Sequence, residues 1–495
     1  MPESPDTLLV GGVVVTVDEQ RRVLDPGAVA IAHDEIVAVD DREAMLERYP
    51  DAERIDLKDT IVMPGLIDTH GHGGHSMTKN LAGGTGRWMD IVEDVYFRGS
   101  DEAFWRADSY LAALEHLVFG VTTSLAFPGS MPRVDHPKYA EAAVAGFDEL
   151  RLRHVINPGP PNPPFPLECR DLDSNETIHL DMDLAFETTE TIIDRIDGAA
   201  DGRLSVSIGP SSLVPEVTRN GQDQITGLVA SRELGEEQLG SASDLSIRQL
   251  KRVVELRDAH DVPVQPHAYR GQIQAAADAV PEILTPELSL AHCAGISEHE
   301  IELLAENDVH VTHGPLTHAY AIARFPLIEA LDAGVNVVIS TDGAAPDRSF
   351  DLLSQGRVAA QLQRVHFNDI SLLPAGKVIE MMTIEAARSI RMDETIGSLE
   401  SGKKADIIAI NLETAPMRPR YQLLQRLVHF ASGHDVTFTM VDGEPLLRNG
   451  ELVDETIDPA EIYRRADDEA MVAIERVDAT DHTQSHPNTW GSVRY

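Results

Sequence analysis

The chain has 495 residues, 42% of them hydrophobic, which is enough for a large core and more than one ordinary domain holds. Acidic residues outnumber basic ones 82 to 41, and the formal net charge of -41 repels nucleic acid and anionic membrane surfaces. No apolar run approaches the roughly 20 residues of a membrane span, and the start, Met-Pro-Glu-Ser-Pro-Asp, lacks the basic and apolar regions of a signal peptide, so a cytoplasmic protein is expected. The acidic excess is dispersed and lysines are few, which reads as whole-surface adaptation to high salt and hence a salt-loving organism. Cys169 and Cys293 lie far apart and define no disulfide framework, and Cys293 is expected as a buried, inert thiol.

Residues 7–17, 28–31, 36–39 and 54–57 have the apolar patterning of short strands, with turn residues such as Gly11, Gly12, Asp25, Pro26 and Gly27 between or beside them. One short helix is expected over 42–49. A similar strand register returns at 405–411 and 437–447, the latter carrying an Asp442-Gly443 turn signal. Two strand-rich ends around a long middle predict that residues 1–60 and 396–457 fold together as one composite β domain.

The middle, 61–395, alternates strand and helix patterns. Buried strands are predicted over 60–68, 121–127, 154–157, 204–209, 262–267, 288–293, 309–313 and 335–341. Helical patterns, among them 101–119, 135–150, 243–260 and 297–307, lie between most of them, several opened by a capping Ser or Asp. Eight parallel strands with intervening helices predict an α/β fold of the TIM-type (β/α)8 barrel kind, whose reactive residues sit at the C-terminal strand ends. Between the third and fourth strands runs a proline-rich stretch, 158–166, followed by acidic sequence to Asp183; it reads equally as a rigid surface excursion or as a lid over the barrel mouth. The extension 458–495 opens on Asp458-Pro459, a helix start, continues helical to Val477 and ends polar over 482–495, a packing or oligomer arm.

The chemistry gathers at strand ends. Val-Met-Pro-Gly-Leu-Ile-Asp-Thr-His-Gly-His, residues 62–72, brings an apolar strand to two histidines one residue apart, and alternate side chains of a strand share a face, so His70 and His72 can grip one ion. His267, His292 and Asp342 close three further strands. Imidazoles and a carboxylate with one position left for water make a catalytic site for a divalent metal, zinc above all, or iron of similar appetite.

The ordered set Pro64-Gly-Leu-Ile-Asp-Thr-His-Gly-His72, the fifth-strand His267, Ala291-His292-Cys293, Ser340-Thr341-Asp342-Gly343 and Ile396-Gly-Ser-Leu-Glu-Ser-Gly-Lys-Lys-Ala-Asp406 resembles the amidohydrolase superfamily. Within it, the set is most similar to the cytosine, guanine and adenosyl-nucleoside deaminases and triazine chlorohydrolases. The resemblance, over about residues 7–450, implies a metal held by His70, His72, His267 and Asp342, with His292 near the bound water or substrate. It also implies a small-molecule substrate and a homo-oligomer. Two-metal members bridge their ions with a carboxylated lysine on the fourth strand; no lysine occurs between Lys138 and Lys251, so one ion is expected.

The resemblance implies attack of activated water on a non-peptide carbon-nitrogen bond, with Asp342 taking the water's proton and passing it to the leaving group. There are departures. Deaminases of this group place a glutamate three residues after the fifth-strand histidine, where this chain has Arg270, a residue able to grip a substrate anion or to form a structural ion pair. Where the group often has His-Asn-Pro-x-Ser-Asn, this chain has His313-Gly-Pro-Leu-Thr-His318, so His313 and His318 are candidate pocket residues. Hydrolytic removal of another leaving group, such as halide, from a heteroaromatic ring is the alternative reaction, and a catalytically silent barrel serving binding or assembly is the alternative outside enzymes.

Overall fold

The computed structural model describes residues 5–83, 87–219, 223–226 and 241–484, with only the main chain of 217–219, 223–226 and Tyr320. Both chain ends enter one nine-stranded sheet. Its order runs Glu451–Leu452, Glu444–Arg448, Val436–Val441, Ile407–Asn411, Glu53–Pro64, Thr7–Val15, Gly27–Ala32 and Glu35–Asp41, with Val23–Leu24 pairing Thr7–Val15. Leu9, Val29, Ile31, Val62, Ile407 and Phe438, all within 1% of full burial, form the core of this composite domain from both ends of the sequence.

The first expected barrel strand proves to be two strands. Glu53–Pro64 belongs to the composite sheet, and Leu66–Gly73 opens the barrel. Gly65 makes the break, because a Cβ there would lie 2.1 Å from the Thr122 Oγ1 of the neighbouring strand, a contact no other residue can make.

The barrel is built from two four-stranded parallel halves. Leu66–Gly73, Val121–Pro128, Arg153–Ile156 and Leu204–Val206 form one; His267–Tyr269, Ser289–Ala294, His310–His313 and Val337–Ile339 form the other. The fifth strand is shorter than the expected 262–267 because Pro263 and Pro266 remove two ladder donors. Its upstream part joins its neighbours through single bridges, Ile208 to Val264 and Val264 to Leu288, and Ser212 bridges His267. Where the eighth strand meets the first, side chains replace a ladder. Asp68 Oδ1 accepts the Thr341 N–H at 3.0 Å, Asp68 Oδ2 accepts the Thr341 hydroxyl at 2.5 Å, and the Asp342 N–H donates to the His70 carbonyl at 3.1 Å.

The helices start where their caps are. Asp101 caps Glu102–Val118, Ser243 caps Asp244–His260, and Ser297 forms a reciprocal capping box with Glu300 at Glu298–Glu306. The helix Pro459–Arg476 packs back on its own chain, placing Ala466, Ala473 and Ile474 against the cluster of Phe104 and Trp105. Of the polar end expected over 482–495, residues 485–495 lie outside the described residues. A buried ion network fastens the composite domain to the third barrel strand. Arg153 holds Asp406 in a fork, 2.7 Å to Oδ2 and 3.1 Å to Oδ1, and also contacts Asp442.

The first half of the proline-rich stretch packs into the barrel, while Pro164 and Pro166 are exposed. Pro158, Gly159, Pro160 and Pro161 are buried. The Gly209 N–H donates to the Gly159 carbonyl at 3.1 Å, the Ser211 N–H to the Pro160 carbonyl at 2.9 Å, and Asn162 exchanges two hydrogen bonds with Ser212. The stretch therefore braces the loop after the fourth strand, which the surface-excursion reading does not describe.

Candidate metal centre

The barrel brings His70, His72, His267, His292 and Asp342 to one point, all buried. Asp342 Oδ1 lies 3.4 Å from His70 Nε2, 3.3 Å from His72 Nε2 and 3.7 Å from His292 Nε2, and His72 and His267 face each other Nε2 to Nε2 at 3.3 Å.

The far nitrogens decide what those contacts mean. The His70 Nδ1–H donates to Gln265 Oε1 at 3.1 Å, the His72 Nδ1–H to the Gly129 carbonyl at 2.9 Å, and the His267 Nδ1–H to the Ser211 carbonyl at 2.5 Å. Each acceptor is an oxygen without a proton to give, so each Nδ1 carries the hydrogen and each Nε2 presents a lone pair. Three lone pairs and a carboxylate oxygen converging in a buried space repel one another unless a cation lies between them, and His70 Nε2 has no hydrogen-bond partner of its own. The residues fit a divalent ion. His70, His267, His292 and Asp342 offer ligand atoms all within 4.8 Å of one another, and His72 adds its Nε2 through the two 3.3 Å contacts. His292 differs in that its Nδ1 is buried without an anchor.

Electrostatics agree with this tautomer assignment. Burial pushes the His70, His267 and His292 imidazoles below their usual range, so they are neutral at pH 7 as ligation requires. Burial alone would raise the Asp342 carboxyl, but the Arg348 guanidinium leads the influences that outweigh it and hold this carboxyl well below the usual carboxylate range. Phe127 closes the floor with its ring 5.8 Å from His70, 5.6 Å from His72 and 5.1 Å from His267.

The candidate pocket residues sit as follows. His318 lies 5.8 Å from the His292 ring and donates Nδ1–H to the Ala323 carbonyl at 2.7 Å, which leaves Nε2 as a buried lone pair without a partner. His313 packs 4.7 Å from His318, buried, with neither ring nitrogen hydrogen-bonded. Arg270 directly follows the fifth strand, half-buried, its N–H held by the Ala294 carbonyl at 3.0 Å. Cys293 is fully buried, and burial raises its thiol well above the usual range, as expected of an inert group.

Several residues of the site escape a reading of the sequence. Gln265, Ser211 and Gly129 act through oxygens that orient the histidines. His75 stacks 4.9 Å from His72, accepts the Ala345 N–H at Nδ1 (3.4 Å) and pairs with the Ser130 hydroxyl through Nε2 at 3.2 Å. Gly343 approaches so closely that a Cβ would lie 2.3 Å from His75 Nδ1. Only Asp68 had a visible signal, its place inside the Pro-Gly-Leu-Ile-Asp run.

Comparison with known proteins follows this geometry. The amidohydrolase family matches residues 61–446, and an imidazolonepropionase-like composite domain of bacteria matches residues 27–52. A 5-methylthioadenosine/S-adenosylhomocysteine deaminase of Nitratidesulfovibrio vulgaris is 30% identical over 458 residues, 91% of this chain and 93% of that protein. An adenosine deaminase from Xanthomonas campestris with bound zinc superposes with a TM-score of 0.77 at 23% identity, over 97% of this chain and 100% of that one. A mutant atrazine chlorohydrolase from Arthrobacter aurescens, complexed with zinc and atraton, superposes with a TM-score of 0.75 at 20% identity, over 94% of this chain and all of that one. These solved structures share the barrel and its composite sheet.

Proposed function

This chain belongs to the amidohydrolase family, and we propose that it deaminates a heteroaromatic amine of the aminopurine class at a single zinc ion held by His70, His72, His267 and Asp342. It is an enzyme, a metal-dependent hydrolase of non-peptide carbon-nitrogen bonds with one divalent metal site and a small-molecule substrate. The ligand assignment rests on one observation above the others: three Nδ1 atoms are pinned by three oxygen acceptors, which leaves three Nε2 lone pairs gathered beside Asp342, those of His70 and His72 within 3.4 Å of its Oδ1 and that of His267 3.3 Å from His72 Nε2. The aminopurine substrate class rests on the named deaminase relative.

When bound, the metal supplies Lewis acidity and lowers the pKa of a coordinated water towards about 7. Asp342, whose carboxylate would hold the ion, would also take up a proton of the attacking water and return it to the leaving nitrogen. His292, through Nε2 on the same side, hydrogen-bonds the oxygen that attacks or the charge that develops on the substrate. Phe127 keeps bulk water from the floor and strengthens these interactions. His318 Nε2 accepts a hydrogen bond from a substrate donor, and the neutral His313 offers one donor and one acceptor nitrogen, both buried and unsatisfied. Arg270 stands where the group's deaminases carry a glutamate and binds an anionic substituent, a charge-assisted contact worth roughly 1.5 to 3 kcal/mol.

A cytoplasmic location, a homo-oligomeric state and division of the chain at 395/396 and 457/458 belong to the same proposal, with the first boundary at Gly65 in place of the expected 60/61, because Glu53–Pro64 is a strand of the composite sheet. The two buried free thiols accord with a reducing compartment. The experiment is elemental analysis of the purified protein, then a substrate screen of the zinc-loaded form at high salt with adenine nucleosides, anionic aminopurines and a halogenated triazine. About one ion per chain and ammonia release from an aminopurine are expected, with Arg270→Gln lowering only the turnover of anionic substrates. Two tightly held ions, or halide release alone, would overturn the proposal.

A further inference from the structure

Asp342 is the one proposed ligand that is not an imidazole, and its main chain is strained: φ is +58°, in the left-handed region that a residue with a Cβ rarely adopts, and Gly343 follows at φ +76°. Such a turn persists only where its surroundings over-determine it. Arg348 supplies much of that constraint. Its guanidinium, with a side chain only 5% exposed, donates Nη2 to the Asp342 carbonyl at 3.0 Å, Nε to the Gly343 carbonyl at 3.4 Å, and Nη2 also to the Ala345 carbonyl. Nη1 donates to the Thr317 hydroxyl at 2.8 Å.

That last contact fixes a direction. A guanidinium only donates, so Thr317 Oγ1 accepts from Arg348 and its own proton goes to Asp342 Oδ2, 2.6 Å away. Arg348 Nη2 stands 3.4 Å from the same Oδ2. The two carboxylate oxygens therefore face different worlds: Oδ1 the imidazoles, Oδ2 a hydroxyl and a cation. Room for this is made at Gly314, where a Cβ would come within 3.1 Å of Asp342 Cβ and 3.6 Å of Thr317 Oγ1.

We infer that Thr317 and Arg348 are positioning residues for the metal carboxylate, a clamp that holds Asp342 Oδ2 and the left-handed turn so that Oδ1 alone is offered to the ion. The inference rests on the metal assignment of the preceding subsection. Neither residue touches the ion; they act through Asp342. Partners of metal ligands in this position typically govern affinity or activity by 10- to 100-fold.

The test measures zinc affinity by competition with a chelator, beside kcat and KM. Thr317→Val keeps the shape and removes the hydroxyl, and zinc binding is expected to weaken at least tenfold, with kcat falling and KM changing less than twofold. Thr317→Ser, which restores the hydroxyl, is expected within threefold of the parent in both. Arg348→Lys keeps the charge without the fork and is expected to weaken zinc as Thr317→Val does, which covers the case in which the valine variant fails to fold. Unchanged zinc affinity in both Thr317→Val and Arg348→Lys, or a Thr317→Ser variant as weak as Thr317→Val, would overturn the clamp while leaving the metal assignment intact. A parent protein that takes up no zinc would overturn the assignment itself and the clamp with it.

Discussion

Gln265 offers the most direct test of the tautomer argument. It is 1% exposed and makes two bonds of opposite sense: Oε1 accepts the His70 Nδ1–H at 3.1 Å, and Nε2 donates to the Thr69 carbonyl at 2.7 Å. Gln265→Met fills the same space and leaves a buried donor and a buried acceptor without partners, each costing about 1 to 3 kcal/mol. Global stability should therefore drop by about 2 to 6 kcal/mol, and zinc affinity by about 10- to 100-fold as His70 loses its orientation. Gln265→Glu separates the two bonds, because a carboxylate still accepts from Nδ1 but cannot donate to Thr69. It should keep zinc affinity near the parent's and lose only stability. The assay pairs denaturant unfolding with chelator competition. If the glutamate variant loses zinc as severely as the methionine variant, the acceptor on Nδ1 does not set the ligand geometry and the reasoning fails.

Asp406→Ala should destabilise the protein by about 3 kcal/mol, the low end for an uncompensated buried charge, because Asp442 remains beside Arg153; an unchanged denaturation midpoint would contradict the ion network. Stability should fall on acidification between about pH 6 and 4. Burial lowers His116, His310 and His318 to about 4 and His154 to about 3, so the unfolded chain takes up four protons there that the native state refuses. Asp68 and Asp108, raised by burial to about 7 and about 6, hold protons in the native state and oppose this without outweighing the more numerous buried histidines, and the fall is to be read from denaturant midpoints. Stability that stays flat or rises on acidification would refute this balance. The melting temperature should climb from low to molar potassium chloride as the net charge of -41 is screened, and salt independence would remove the high-salt reading of the composition.

The architecture was legible where patterning repeats. Alternating strand and helix signals located all eight barrel strands, and the cap residues Asp101, Ser243 and Ser297 located helix starts to within a residue. The strand-like ends foretold the shared sheet. Boundaries failed where a single contact outweighs local preference, as at Gly65 against Thr122. The strand-end histidines could be read because a two-residue spacing on a strand has one geometric meaning. Their supports could not be read, since Gly129 and Ser211 contribute carbonyl oxygens that every residue possesses, and Thr317 reaches Asp342 across 25 residues. The burial of Pro158, Gly159, Pro160 and Pro161 could not be read for the same reason: their carbonyl partners Gly209 and Ser211 lie about 50 residues away, while Pro164 and Pro166 are exposed.

The division of the barrel into two half-sheets gives the metal centre a mechanical consequence. His70 and His72 stand on one half, and His267, His292 and Asp342 on or just beyond strands of the other. Continuous ladders are lacking at both seams, which are closed by isolated bridges on one side and by Asp68 and Thr341 on the other. An ion at this point is a rivet through both plates. Drawing it out frees the halves to part along the seams, so amide exchange in the zinc-free protein should quicken first at Ile208, Gln265, Thr341 and Asp342, while amides inside each half-sheet keep their protection. Equal quickening throughout both halves would mean that the barrel is held as one piece without its rivet.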